Sequence, residues 1–136
     1  MAYTYAVLGG GRQGTAAAYD MARHGDAERV LIADISAEAA RRSAERVDGL
    51  IGAHVAEPRE LDVTDRAALV RFLGPVDSFL SAVPYWNNPA ITEAAIEARA
   101  CMTDLGGKTD LVLGQLERSD DAAAAGIAII PDCGQV

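Results

Sequence analysis

The 136-residue sequence predicts an α/β fold, a doubly wound six-stranded parallel sheet with helices on both faces and strand order 3-2-1-4-5-6. Three observations predict it. Short apolar runs alternate with longer amphipathic stretches along the whole chain. A glycine-rich turn, Gly9-Gly10-Gly11-Arg12-Gln13-Gly14, joins the first apolar run to the first amphipathic one. Half of the residues are hydrophobic, enough for one domain with its own core.

Residues 3–9 read as the first strand, apolar and bounded by glycine. Residues 14–24 follow as a helix, because Ala17, Ala18, Met21 and Ala22 recur at helical spacing, and Gly25 closes it. Residues 29–34 are the second strand. Ser36 is placed to cap a helix whose buried face is Ala40, Ser43, Ala44 and Val47, with Arg41, Arg42, Glu45 and Arg46 facing outward. The third strand carries the weakest pattern. Its best fit is 59–63, after the loop around Glu57-Pro58, with Thr64 capping a helix over 65–73 that buries Leu69, Val70 and Leu73. Gly74-Pro75 then breaks the chain.

Residues 76–83 are the fourth strand. Asn88 followed by Pro89 predicts an N-cap and a proline at the first helical position, where its missing N–H costs nothing. Ile91, Ala94, Ala95 and Ala98 form the buried stripe of that helix. Residues 100–105 are the fifth strand, ahead of Gly106-Gly107. A helix ends near Ala125-Gly126, and 127–131 are the sixth strand. Right-handed crossovers turn this alternation into a Rossmann sheet. The sequence contains no internal repeat and no low-complexity linker.

The formal net charge of −8 argues against nucleic acid or an anionic membrane as partner, since both need a basic face. It leaves room for a dinucleotide, whose two phosphates can be held by backbone N–H groups and a helix dipole. No apolar run approaches the roughly 20 residues that span a bilayer. The residues after Met1 lack the basic stretch of a signal peptide, so a cytoplasmic protein is expected. Cys101 and Cys133 lie in apolar segments and read as two buried thiols. His24 and His54 are isolated and read as surface or structural. Neither a metal-ligand cluster nor a Ser/His/Asp or Cys/His constellation is legible.

The glycine turn fits G-x-G-x-x-G in the setting that gives the motif meaning, between a strand and a helix. Gly9 permits the tight turn, Gly11 lets the backbone approach a pyrophosphate, and Gly14 lets the helix pack on the strand. Arg12 and Gln13 open the helix whose N-terminal N–H groups face the phosphates. Asp34 ends the second strand twenty residues after Gly14, where a carboxylate accepts bonds from the adenosine ribose and repels a 2′-phosphate. NAD is therefore expected over NADP, with Arg41 and Arg42 close enough to temper the preference. Asp62 and Val63 either flank an adenine or simply end the third strand. Ala82, Val83 and Pro84 end the fourth strand beside the topological switch point, where the nicotinamide half would pass. Tyr85 and Trp86 either wall a substrate or pack against the rest of the protein. Lys108 and Asp104 flank the Gly106-Gly107 turn. Lys108 could serve as an acid or base near a nicotinamide, or be a solvated lysine.

The chain resembles the N-terminal, NAD(P)-binding domain of the saccharopine dehydrogenase-like family, and within it the lysine 6-dehydrogenase type. The carriers are Val7-Leu8 with the glycine turn, Asp34, Asn88, Thr103-Asp104-Leu105-Gly106-Gly107, and the stretch from Ala124 through Pro131-Asp132-Cys133-Gly134. The resemblance implies NAD(P)-dependent oxidation or reduction at the amine of a lysine-like amino acid, through an imine. It implies cofactor roles for Gly9, Gly11, Gly14, Asp34 and the Val83-Pro84 segment. It also implies a second domain that binds the amino-acid substrate and mediates homodimer contacts, expected beyond Val136. The chain alone is expected to bind dinucleotide weakly and to turn nothing over. Two other possibilities are a stand-alone NAD(H)-sensing module and a Rossmann-like methyltransferase with a different nucleoside ligand.

Overall fold

The computed structural model describes residues 2–134; Met1, Gln135 and Val136 lie outside the described residues. In chain order the elements are β1 Tyr3–Leu8, α1 Arg12–His24, β2 Ala27–Asp34, α2 Ala37–Ile51, β3 Ala56–Glu60, α3 Arg66–Leu73 and β4 Ser78–Ser81. A 3-10 turn at Tyr85–Asn87 leads into α4 Asn88–Ala98, followed by β5 Cys101–Asp104, α5 Thr109–Leu116, α6 Ser119–Ala125 and β6 Ile129–Ile130. The strands form one six-stranded parallel sheet in the order β3-β2-β1-β4-β5-β6. This is the doubly wound order that the sequence predicts.

The central strands are buried on both faces, so they read as continuous apolar runs. Ala6, Val7 and Leu8 in β1 and Val30 to Ala33 in β2 are all buried. Alternation along each strand divides them between two cores. Leu8, Leu31 and Ala33 pack with Leu69 and Leu73 of α3, Ile91 of α4, Phe79 and Met102. Val7, Val30 and Ile32 pack on the opposite face with Ala18 of α1 and Ala44 and Val47 of α2. The predicted buried face of α2 (Ala40, Ser43, Ala44 and Val47) is the observed one.

Several boundaries differ from expectation. β3 lies at Ala56–Glu60 instead of 59–63, and Asp62 and Val63 fall beyond its end. It is an edge strand paired only with β2, where Pro58 is tolerated because only one side of the ladder needs N–H donors. Asp65, not Thr64, caps α3: its side chain accepts from Ala68 N–H at 3.1 Å, while Thr64 is bonded to Asp62. Asn88 is not the cap of α4. The helix begins at Asn88 itself, after an Asn87 cap, because the Asn88 side chain turns inward to accept from Ser81 Oγ at 2.8 Å. α1 starts at Arg12, so Gly14 sits inside its first turn. The segment before β6 contains two helices, α5 and α6. The thiols are free as expected, but Cys133 is exposed and Cys101 only half-buried. Cys133 follows a two-residue edge strand that pairs with β5 and has no strand of the sheet on its outer side.

The chain runs outward from β1 through β2 to β3, then returns to place β4 on the other side of β1. Ligands of open α/β sheets bind at such a switch point, outside the C-terminal ends of the strands.

Candidate functional site

Three glycines shape the turn between β1 and α1, each for a different reason. Gly9 has a φ of +104°, and its N–H donates to Ala33 O at 2.7 Å. A Cβ there would lie 2.9 Å from Ala82 O. Gly14 packs so tightly under the turn that a Cβ would land on the Gly9 carbonyl. Gly11 is the opposite case. It caps α1 in extended conformation, and a Cβ there would meet nothing within 4 Å. No side chain caps α1, so the N–H groups of its first turn face outward without intrahelical acceptors. Open space above Gly11, beside a helix N-terminus, fits a phosphate group.

Asp34 is tied into this turn. Its Oδ2 accepts from Gly10 N–H at 2.8 Å, and its Oδ1 accepts from Ser36 N–H at 2.8 Å. Each oxygen keeps lone-pair capacity for a further donor, so the carboxylate is aimed before any ligand arrives.

A cleft of about 480 Å³ opens over the strand ends. It gathers eight of the expected residues: Gly9, Gly11, Asp34, Asp62, Val63, Ala82, Val83 and Pro84. Gly14 is buried behind the turn, and Arg12 and Gln13 are exposed outside this cleft. Asp62 is positioned by Thr64, whose hydroxyl and N–H both donate to its Oδ1, at 2.7 and 2.9 Å. Those two bonds, the hydroxyl's first, hold the Asp62 carboxyl below the usual carboxylate range. Sequence reasoning missed Ala33, Ile35, Leu61, Thr64 and Asn87 as lining residues. Ile35 carries a signal only by its place directly after the carboxylate that ends β2, at the mouth of the cleft.

The Tyr85 and Trp86 side chains are not packed away: they are 38% and 64% exposed, and Trp86 lines the cleft. Lys108 is exposed at the N-cap position of α5 and lines none of the cleft. Asp104 is fully buried and structural. It accepts from Gly106 N–H, Asp132 N–H and Gln115 Nε2 at 2.8, 3.0 and 2.8 Å. His54 bonds Asp48 at 2.6 Å, and His24 is exposed; neither lines the cleft. Among the described residues no group of three or more His, Cys, Asp or Glu could hold a metal ion, and no helix is long and apolar enough to cross a membrane.

A larger groove, about 630 Å³, lies between α1 and α2 and includes Arg12, Arg42 and Arg46. It shares only Gly11 with the cleft and lies on the helical face instead of at the strand ends. Position at the switch point therefore makes the smaller cleft the candidate site.

Sheet order, glycine turn and switch-point cleft together define a Rossmann-type domain. Residues 5–130 match the family model described as the saccharopine dehydrogenase NADP binding domain, and the chain belongs to that family. It is thus an NAD(P)-binding domain of the saccharopine dehydrogenase-like type. Among solved structures, saccharopine dehydrogenase (L-Glu forming) from Saccharomyces cerevisiae superposes with a TM-score of 0.78 at 23% identity, over 97% of this chain and 27% of that one. Quinate dehydrogenase from Corynebacterium glutamicum, solved with NAD, gives 0.66 at 17% identity, over 96% and 44%. A shikimate 5-dehydrogenase from Mycobacterium fortuitum gives 0.68 at 20%, over 96% and 44%. The chain spans less than half the length of each of these three.

Proposed function

We propose that this chain holds NAD in the switch-point cleft, as the cofactor-binding part of an oxidoreductase acting on the amine or imine of a lysine-like amino acid. The pyrophosphate lies over Gly9 to Gly11 and the N-terminus of α1. The adenosine ribose bonds to Asp34, and the adenine sits by Asp62 and Val63. The nicotinamide half passes Ala82, Val83 and Pro84. The observation that carries this assignment is the open cradle above Gly11, with uncapped helical N–H groups on one side and the prealigned Asp34 carboxylate on the other.

The bound nicotinamide supplies hydride transfer, and this chain's own residues bind and orient it. Family membership supports the choice of an amino-acid substrate, and no residue of this cleft is assigned to it.

Preference for NAD over NADP rests on the residues around Asp34. The carboxylate repels a 2′-phosphate, and the next side chain, Ile35, offers no cation to offset it. Arg41 is engaged with Glu45 at 2.6 Å, and Arg42 lines the groove between α1 and α2.

Calorimetric titration of the chain with NAD and NADP tests the assignment. NAD should bind at least about tenfold more tightly, and Asp34→Asn should narrow the gap by relieving the charge repulsion. Equal or tighter binding of NADP by the unaltered chain refutes the role of Asp34. No binding of either dinucleotide refutes the site.

A further inference from the structure

We infer that Trp86 is the stacking wall for the adenine base of the dinucleotide, a role that no motif in the chain assigns; it rests on the cleft being the dinucleotide site. Trp86 is the one tryptophan of the chain. Ile35 at 70% and Trp86 at 64% are the two most exposed large apolar side chains among the described residues. One such side chain in water is unremarkable on its own. Here both line the same cleft, with the half-buried Val63.

Together they form a slot with apolar walls and one acceptor edge. The acceptor is Asp62, whose Oδ1 is fixed by Thr64 and whose Oδ2 has no partner among the described residues. A flat heteroaromatic ring with an exocyclic amine is the complement of such a slot. Location selects the adenine over the nicotinamide. Asp34 ends β2 and Asp62 follows β3, on the side of the sheet away from β5. Trp86 reaches that side because α3 packs against α4, which brings the turn before α4 beside the loop before α3.

The turn that carries the indole is braced. Asn87 N–H and Nδ2 both donate to Pro84 O, at 3.0 and 3.2 Å, closing the 3-10 turn. Tyr85 meets the indole edge-on, with centroids 5.3 Å apart and planes at 76°. Behind Tyr85 stands Gly107, at φ +140°, where a Cβ would come within 2.7 Å of the ring. A side chain on a braced turn loses less freedom than one on an open loop when a base stacks on it.

The test uses the chain with Trp86→Ala and Trp86→Phe, titrated with NAD and with ADP-ribose, which lacks the nicotinamide. Trp86→Ala should weaken both ligands by about tenfold and Trp86→Phe by about threefold, in line with the loss of one base–aromatic stack. ADP-ribose should also quench the tryptophan fluorescence of the unaltered chain. Wild-type affinity for both ligands in Trp86→Ala overturns the inference and leaves the dinucleotide site standing. Weaker NAD with unchanged ADP-ribose also overturns it, by placing the indole on the nicotinamide. No binding of either ligand by the unaltered chain overturns both the site and the inference.

Discussion

Gly11 and Gly14 lie three residues apart in one motif, yet alanine should affect them in opposite ways. At Gly14 the added Cβ falls on the Gly9 carbonyl oxygen and lies 2.9 Å from its carbon, with Val7 Cγ1 at 3.1 Å. Backbone cannot rotate away as a side chain can, so α1 must lift from the sheet. Overpacking of this kind costs about 3 kcal/mol, the upper end of its usual range. For a domain of this size that corresponds to a melting temperature lower by about 10 °C. At Gly11 the backbone sits at φ −78° and ψ −164°, which alanine adopts freely, and the Cβ meets nothing. Losing glycine at an N-cap costs a few tenths of a kcal/mol. Restricting the unfolded chain returns about the same. Stability should therefore change by less than about 0.5 kcal/mol. NAD affinity should nevertheless fall by about tenfold or more, because the methyl occupies the approach of the pyrophosphate. Thermal unfolding and calorimetry on the two variants separate these effects. Wild-type NAD affinity in Gly11→Ala would refute the placement of the pyrophosphate. An unchanged melting temperature in Gly14→Ala would refute the packing of α1 on the turn.

Two further outcomes concern the scaffold. Asp104→Ala strips the acceptor from three donors at the end of β5 and should cost about 3 kcal/mol in urea unfolding; a loss under 1 kcal/mol would mean that the network relaxes freely. Asp48 is raised by burial but lowered further by the N–H groups of Ala56 and Val55 and by His54, so its carboxyl titrates below the usual range. A depressed folded-state value stabilises above the ordinary carboxylate range and is lost as pH falls through that value. Asp48→Asn should therefore be less stable than the parent at pH 7, with the difference shrinking below about pH 4; an equal difference at both pH values refutes the coupling.

The sheet order was legible because burial leaves a signal in composition. β1, β2 and β4 carry core side chains on both faces, and their apolar runs stand out from the helices between them. β3 was not legible in the same way. Four of its five residues, Glu57 to Glu60, include two glutamates, a proline and an arginine, and it is held by backbone bonds to β2. Backbone pairing is open to almost any residue, so it leaves little trace in sequence. The apolar Leu61 and Val63 drew the expected strand forward into the loop. Cap positions failed for a related reason. Thr64 and Asp65, or Asn87 and Asn88, are chemically able neighbours, and the choice depends on what else each side chain touches. Thr64 is taken by Asp62, and Asn88 by Ser81. Cys133 was misread as buried and Trp86 left open because apolar character shows what could be buried, not whether anything covers it. The glycine turn was legible as a strand-to-helix turn, since Gly9 and Gly14 meet steric demands that a side chain would break, while Gly11 leaves open space above the helix N-terminus.

What the motif did not disclose is the bond from Gly10 N–H to Asp34 Oδ2, across 24 positions of sequence. It gives one carboxylate two tasks. In the proposed assignment Asp34 would face the ribose while it braces the turn over which the pyrophosphate would rest. The two tasks cannot be altered separately. Replacing Asp34 with a small apolar residue would remove the repulsion toward a 2′-phosphate but would also leave Gly10 N–H unpaired, loosening the turn for either dinucleotide. An amide at position 34 keeps an acceptor for that N–H while discarding the charge. On the proposed assignment, cofactor choice would depend on which acceptors position 34 presents, to the turn as well as to the ribose, and not on its charge alone.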